Sequence, residues 1–212
     1  MEMGFRKPEG LNIWLKTIVL WLKMVNEIGS ILKILIENQG KRFSIRKLSK
    51  LRDINYKSAY NNVKQLEKEE LVSLEKFGNT TNCSFNRIFS PRVFEVEFKR
   101  REELLKDKNF KILHNRLKEA QFQFIALLFG SFAKKKSTKN SDIDIIVITE
   151  NKEGLKQIIN LIPLNIHLTV LTNKEFNMMA KSKEFSVVSE VIKNNAILIG
   201  IEDYYRLMEN VE

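Results

Sequence analysis

In this 212-residue chain, Gly130-Ser131 and Asp142-Ile143-Asp144 have the residue types and spacing to do chemistry, and ten residues separate the two groups. Residues two apart on a strand project to the same side, so Asp142 and Asp144 would present paired carboxylates on one face. Oxygen ligands of that kind suit Mg²⁺, which also binds substrate phosphates. Gly130 lets backbone approach a phosphate closely. Ser131 falls where a strand gives way to a helix, so its hydroxyl and the first N–H groups of that helix can bind phosphate. Lys134, Lys135, Lys136 and Lys139 concentrate positive charge beside the turn. Paired metals that bridge nucleophile, phosphate and leaving group are one solution to phosphoryl transfer. Two aspartates around an isoleucine at a strand start also suit a solvated edge, but the upstream Gly-Ser at this distance favours a site.

The elements that must position these residues can be read on either side of them. Residues 122–129 (FQFIALLF) are a buried strand leading into Gly130. Residues 142–148 (DIDIIVI) form a second strand, and 164–171 (LNIHLTVL) a third. Thr172 and Glu175 make a capping box for a helix start. Residues 189–198, followed by Gly200, read as a closing helix and short strand. The stretch 122–149, and less closely the rest to the end, resembles the nucleotidyltransferase superfamily that includes polymerase beta, in particular its minimal-nucleotidyltransferase branch. The resemblance implies that Gly130 and Ser131, with Lys134 and Lys136 beside them, hold the triphosphate of an NTP such as ATP. It implies that Asp142 and Asp144 hold magnesium, and that a nucleoside monophosphate passes to a hydroxyl. The small branch includes antitoxins that adenylylate a partner toxin, so a protein acceptor of that kind is implied as well.

Two departures from the family pattern stand out. A position that is commonly small, often Gly, is Lys135 here. Active members usually carry a third carboxylate on a later strand, yet residues 164–171 contain neither Asp nor Glu. His167 is the best positional match, with Asn165 on the same face. An imidazole does not offset the charge of a hard dication as a carboxylate does, and Mg²⁺ prefers oxygen. His167 would serve as general base in place of that carboxylate, or simply pack. The resulting alternatives are a transferase, and a regulator whose transferase-like domain senses nucleotide without turnover.

The first half has a different character. Apolar residues from Ile28 to Ile36 form a buried helix closed by Gly40. Ser44 caps a short helix whose inner face carries Ile45, Leu48 and Leu51. Asn55 caps a third helix over about Tyr56 to Glu69, with Ala59, Val63 and Leu66 inward and Lys57, Ser58, Asn61, Asn62, Lys64 and Gln65 outward. Residues 71–76 and 82–86 read as a hairpin around Gly78, in which Cys83 packs. Three helices and a hairpin resemble the winged helix-turn-helix family over 26–88, which implies double-stranded DNA as partner. Independently of that name, Asn61, Asn62 and Gln65 are amide readers suited to base edges. Arg42, Arg46, Lys47, Lys57 and Lys64 would neutralise phosphates. A protein–protein module with a solvated basic face is the alternative.

Charge supports this division. The net formal charge is +10, and residues 1–100 hold 19 basic and 11 acidic side chains against 17 and 15 in 101–212. A basic patch spans 38–66, where eight Lys or Arg meet only Asp53. That balance favours an anionic partner. A lone cysteine excludes an intramolecular disulfide framework and a cysteine zinc cage, so a reducing, cytoplasmic setting is expected. Residues 11–25 (LNIWLKTIVLWLKMV) are apolar but broken by lysines, which argues against a spanning helix or signal peptide. They suit a helix that packs on the body or forms a homodimer, or one that lies on a membrane surface; translation starting at Met24 is the other reading. The expected fold is α+β: an apolar helix (1–25), a winged helix-turn-helix (26–90), a helical linker with His114 in its second helix (91–120), and a nucleotidyltransferase-like domain built on a small mixed sheet (121–212).

Overall fold

A computed structural model describes residues 27–134, 136–138, 141–182 and 186–211. The apolar segment 1–25, its dimerisation reading, Lys135 and Lys139 lie outside them.

The chain opens with helix α1 (residues 27–37) and a two-residue strand β1 (Phe43–Ser44). Helices α2 (Ile45–Arg52) and α3 (Tyr56–Lys68) follow, then strands β2 (Val72–Phe77) and β3 (Thr80–Phe85). The caps read from the sequence are made: Ser44 Oγ accepts the Lys47 N–H at 3.2 Å and Asn55 Oδ1 accepts the Ser58 N–H at 2.8 Å. Each replaces one orphan bond of a helix start. The strands pair antiparallel in the order β1-β3-β2. Cys83 is buried, and its thiol donates to the Phe43 carbonyl at 3.1 Å. Burial pushes that thiol up to about 12.

Three side chains face otherwise than their spacing predicts. Leu51 is 53% exposed, because α2 ends at Arg52 and only Ile45 and Leu48 of that face reach the core. Asn62, read as outward, is 3% exposed and donates to Glu27 Oε2 at 3.4 Å. It lies three residues after Ala59 and beside Val63, so the inner stripe is wide enough to include it. Ser58 is also drawn inward, donating to Glu27 Oε2 at 2.5 Å.

Helix α4 (Pro91–Leu104) is capped by Ser90, with Pro91 in its first turn, and α5 (Lys108–Leu117) is capped by Asp107. These two helices occupy most of residues 91–120. Val93 and Val96 of α4 are buried in the core of the first half, while Phe110, Leu113 and Leu117 of α5 pack on the second sheet.

The second sheet has the order β6-β5-β4-β7. Its strands are β4 (Ile125–Leu128), β5 (Ile143–Ile148), β6 (Ile166–Leu171) and β7 (Ala196–Ile199). β5 and β6 are parallel, joined through α7 (Lys152–Asn160), and the other pairs are antiparallel, so the sheet is mixed. A short α6 (Gly130–Ala133) follows β4. Helices α8 (Asn173–Lys181), α9 (Val187–Lys193) and α10 (Ile201–Glu209) complete the chain. The Thr172–Glu175 capping box is present at the start of α8.

Strand alternation sends side chains to two cores. Ala126, Leu128, Ile143, Ile145 and Val147 face α5 and α7. Ile125, Leu127, Ile146 and Ile148 face the opposite way, with Phe176, Tyr204 and Tyr205. This second core is continuous with that of α1–α3 and the hairpin. At the junction lies a buried ion pair: Arg100 Nη1 is 2.5 Å from Glu97 Oε2, and Tyr205 donates to Glu97 Oε1 at 2.7 Å. Arg100 also donates to the Asn195 carbonyl at 2.7 Å, pinning α4 to the residue before β7. Among the described residues no helix is long and apolar enough to cross a membrane.

Candidate functional site

Asp142 lies immediately before β5 and Asp144 is its second residue. Their parity places both on the face shared with Ile146 and Ile148, the face turned toward the common core. The parallel register aligns Asp144 with His167 of β6. His167 Nδ1 is 3.2 Å from Asp144 Oδ1, and the Asn165 amide donates to Asp142 Oδ1. An ionised carboxylate only accepts, so in this contact Nδ1 carries the proton. A neutral ring then keeps its lone pair on Nε2. The His167 side chain is 71% exposed and that of Asp144 is 25% exposed, so the carboxylate is held while the imidazole remains accessible.

Gly130 completes the geometry. Its φ is +69°, a left-handed conformation that favours glycine. A Cβ there would meet Asp144 Oδ2 at 2.1 Å. The backbone of the Gly-Ser turn therefore lies directly against the second carboxylate. Asp144 is fixed from behind, since its carbonyl accepts the Phe129 N–H at 3.0 Å. Beyond the turn, the Lys136 N–H donates to the Ser131 carbonyl at 2.9 Å, which keeps Lys136 beside Ser131. The Lys134 ammonium pairs with Glu190 of α9 at 2.5 Å, a contact that sequence spacing does not signal.

Among the described residues no group of three or more His, Cys, Asp or Glu is arranged to hold a metal ion. Asp142 and Asp144 remain as two carboxylates on one face of β5. That set fits Mg²⁺, which is commonly held by one or two carboxylates together with substrate phosphates. A cavity of about 470 Å³ lies at the other end of β4 and β5, between Phe122, Thr149 and Arg206. None of Gly130, Ser131, Asp142, Asp144 or His167 lines it.

The basic residues of the first half divide by element. Lys57, Asn61 and Lys64 are exposed on α3, and Gln65 is half-buried. Arg46 and Lys47 are exposed on α2, and Arg42 stands before β1. Some are paired within the protein: Arg42 with Glu75 of β2, Lys64 with Glu67 at 2.7 Å, and Gln65 with Glu69 at 3.2 Å. Asn62 is not on this face. Two residues that the sequence reading left out are: Tyr56 and Tyr60, with stacked rings 6.3 Å apart and 52% and 40% exposed. Their four-residue spacing beside Lys57 and Asn61 was the available signal. Phe77, at the end of β2, is 72% exposed.

Residues 111–204 match the family described as Polymerase beta, Nucleotidyltransferase. The match runs from α5 into α10 and contains Gly130, Ser131, Asp142, Asp144 and His167. The match supports a nucleotidyltransferase domain of the polymerase-beta superfamily in this part of the chain and suggests nucleotidyltransferase activity. No curated protein and no solved structure shows significant similarity to the chain.

Proposed function

We propose that the chain catalyses magnesium-dependent transfer of a nucleoside monophosphate from an NTP, ATP in the first instance, to a hydroxyl. The observation that carries this reading is the close approach of the Gly130 backbone to Asp144, with Asp142 on the same face. Asp142 and Asp144 would hold magnesium, which when bound neutralises phosphate charge. Gly130 and Ser131 offer backbone and hydroxyl to the phosphates, and Lys134 and Lys136 offer charge. His167 Nδ1–H is oriented by Asp144, which leaves Nε2 able to take the proton of the acceptor hydroxyl. The hydroxyl oxygen bonds to the α-phosphorus, the bond to the bridging oxygen breaks, and pyrophosphate leaves. The acceptor we favour is a partner protein, of the toxin type adenylylated by antitoxins in the minimal branch.

The N-terminal unit is proposed to be a winged helix-turn-helix that binds double-stranded DNA. Helix α3 would enter the major groove with Lys57, Asn61 and Lys64, joined by Tyr56 and Tyr60; Arg42, Arg46 and Lys47 would contact phosphates. Such a unit suits autoregulation of an operon. A second reading is favoured by one observation: β6 presents His167, not a carboxylate, opposite Asp144. On that reading the protein is a DNA-binding regulator that holds nucleotide without turnover.

Incubation with Mg²⁺, labelled ATP and candidate acceptor proteins separates the two. Transfer by the wild type that is lost in Asp142→Asn and Asp144→Asn supports the transferase. Binding without transfer supports the regulator. If both variants bind and transfer like wild type, the site is misassigned. For DNA, Lys57→Ala should lower affinity and flatten its salt dependence by about one ion. Salt-insensitive binding would overturn the DNA reading.

A further inference from the structure

We infer that the N-terminal unit supplies part of the triphosphate site: Lys41, across a groove between the two halves, receives the outer phosphates of the nucleotide. This inference rests on the transferase-site reading and adds a residue to it from outside the nucleotidyltransferase domain.

The groove has a volume of about 410 Å³ and begins where the Gly-Ser turn ends. One wall is Ala133, the last residue of α6, with Lys134 and Lys136; the other is Asn38 and Lys41, in the turn between α1 and β1. Arg100 and Glu37 also line it. Four cationic side chains therefore face one carboxylate, which favours an anion. They are not equivalent. Arg100 is already committed to Glu97 at 2.5 Å and the Asn195 carbonyl at 2.7 Å, so it stiffens the groove more than it attracts a ligand. Lys134 must share itself with Glu190. Lys41 and Lys136 are exposed, and among the described residues the Lys41 ammonium donates to the neutral Asn38 amide oxygen at 3.1 Å.

Direction selects the ligand. Asp142 and Asp144 lie on the sheet face turned toward the core shared with the N-terminal unit. A phosphate chain whose reacting end sits at Asp144 and Gly130 and which runs on past Ser131 meets Lys134 and Lys136 next. The facing wall is then Lys41. The outer phosphates carry most of the charge of a triphosphate, and a cation on each side of them is how such charge is held. Lys41 belongs by sequence to the basic patch read as a DNA surface; its position on this groove separates it from the residues of α3.

The test is calorimetric titration of the full chain with inorganic tripolyphosphate, ATP and AMP, each with Mg²⁺. Lys41→Ala should weaken tripolyphosphate and ATP about 3- to 10-fold, the range for one partly solvated charge-assisted contact. Lys41→Glu should weaken them further, and AMP binding should be unchanged. Lys68→Glu, an exposed charge reversal elsewhere in the unit, should leave all three unchanged. If Lys41→Glu binds ATP like wild type while Asp144→Asn does not, the inference falls and the transferase-site reading stands. Equal losses for AMP, or equal effects of Lys68→Glu, also overturn it, since neither is a tail contact. A wild type that binds neither ATP nor tripolyphosphate overturns the inference and the reading together.

Discussion

Replacing Gly130 by alanine should lower the transfer rate about 10²-fold at a small cost in stability. The added Cβ would lie 2.1 Å from Asp144 Oδ2 and 2.9 Å from its Cγ. An ordinary carbon–oxygen contact needs more than 3 Å, so the two groups must part by about 1 Å. The carboxylate has little freedom to yield. Its Oδ1 accepts from His167 at 3.2 Å, and its backbone is tied to Phe129 at 3.0 Å. Alanine at φ +69° adds a conformational cost of about 1–2 kcal/mol. For a chain of this size that corresponds to a fall in Tm of roughly 2–8 °C. The functional cost is larger, because a misplacement of about 1 Å at reacting atoms is worth about 10²-fold in rate. The assay pairs thermal melting with magnesium-dependent ATP binding and transfer. A folded Gly130→Ala protein with wild-type binding and transfer would refute the assignment of this turn to the phosphate site. A protein that fails to fold would refute so small a stability cost.

Further outcomes are expected. His167→Asp places a third carboxylate in register with Asp144 but removes the imidazole base, so it should lower the magnesium needed for half-maximal ATP binding while reducing the transfer rate about 10²-fold. A rate at or above wild type would show that the imidazole is not the working base. Glu97→Ala strips the buried Arg100 guanidinium of its nearest carboxylate, leaving Glu37 at 3.8 Å, and should cost about 3–5 kcal/mol, read as a melting shift of roughly 6–20 °C; a shift under 2 °C would contradict a stabilising buried pair at the junction. Lys152, with the backbone and side chain of Thr172, holds the Glu175 carboxyl down at about 2 from its ordinary 4.5. Its contribution to stability is therefore complete above pH 4.5 and lost as pH falls toward 2, so Glu175→Gln should melt lower than wild type at pH 6 and alike near pH 2. Cys83, buried with its thiol raised to about 12, should resist thiol reagents at pH 8 and react fully in denaturant.

Much of this architecture is legible in local chemistry. Caps such as Ser44, Asn55 and Thr172 depend on neighbours three residues away, so the sequence displays them directly. The Gly-Ser and Asp-x-Asp groups are legible for a similar reason: strand parity alone puts Asp142 and Asp144 together. What escapes is the pairing of distant elements. Nothing local shows that Glu27 of α1 draws Asn62 and Ser58 of α3 inward, because an amide on a helix looks outward unless its partner is known. Lys134–Glu190 and Tyr205–Glu97 span 56 and 108 residues, and no periodicity carries such contacts. Helices α7 and α10 are also absent from the sequence reading. Their apolar stripes face a sheet whose order, β6-β5-β4-β7, is not the order of the chain.

The junction between the two halves bears on how they can work together. A hinge needs a thin, polar contact that can open. Here α4 contributes Val93 and Val96 to the shared core and inserts the Glu97–Arg100 pair, sealed by Tyr205. Swinging one half away would expose that pair and break its bonds to β7, a cost of several kcal/mol. Coupling between the proposed DNA face and the proposed nucleotide site is therefore better sought in the groove than in domain rotation. The turn carrying Asn38 and Lys41 joins α1 to β1, and β1 pairs with β3 of the hairpin. A DNA duplex that shifts the hairpin would pull on that turn and change the affinity of Lys41 for phosphate. Linkage then requires the reciprocal effect: triphosphate must alter DNA affinity by the same factor, and Lys41→Ala must abolish both effects.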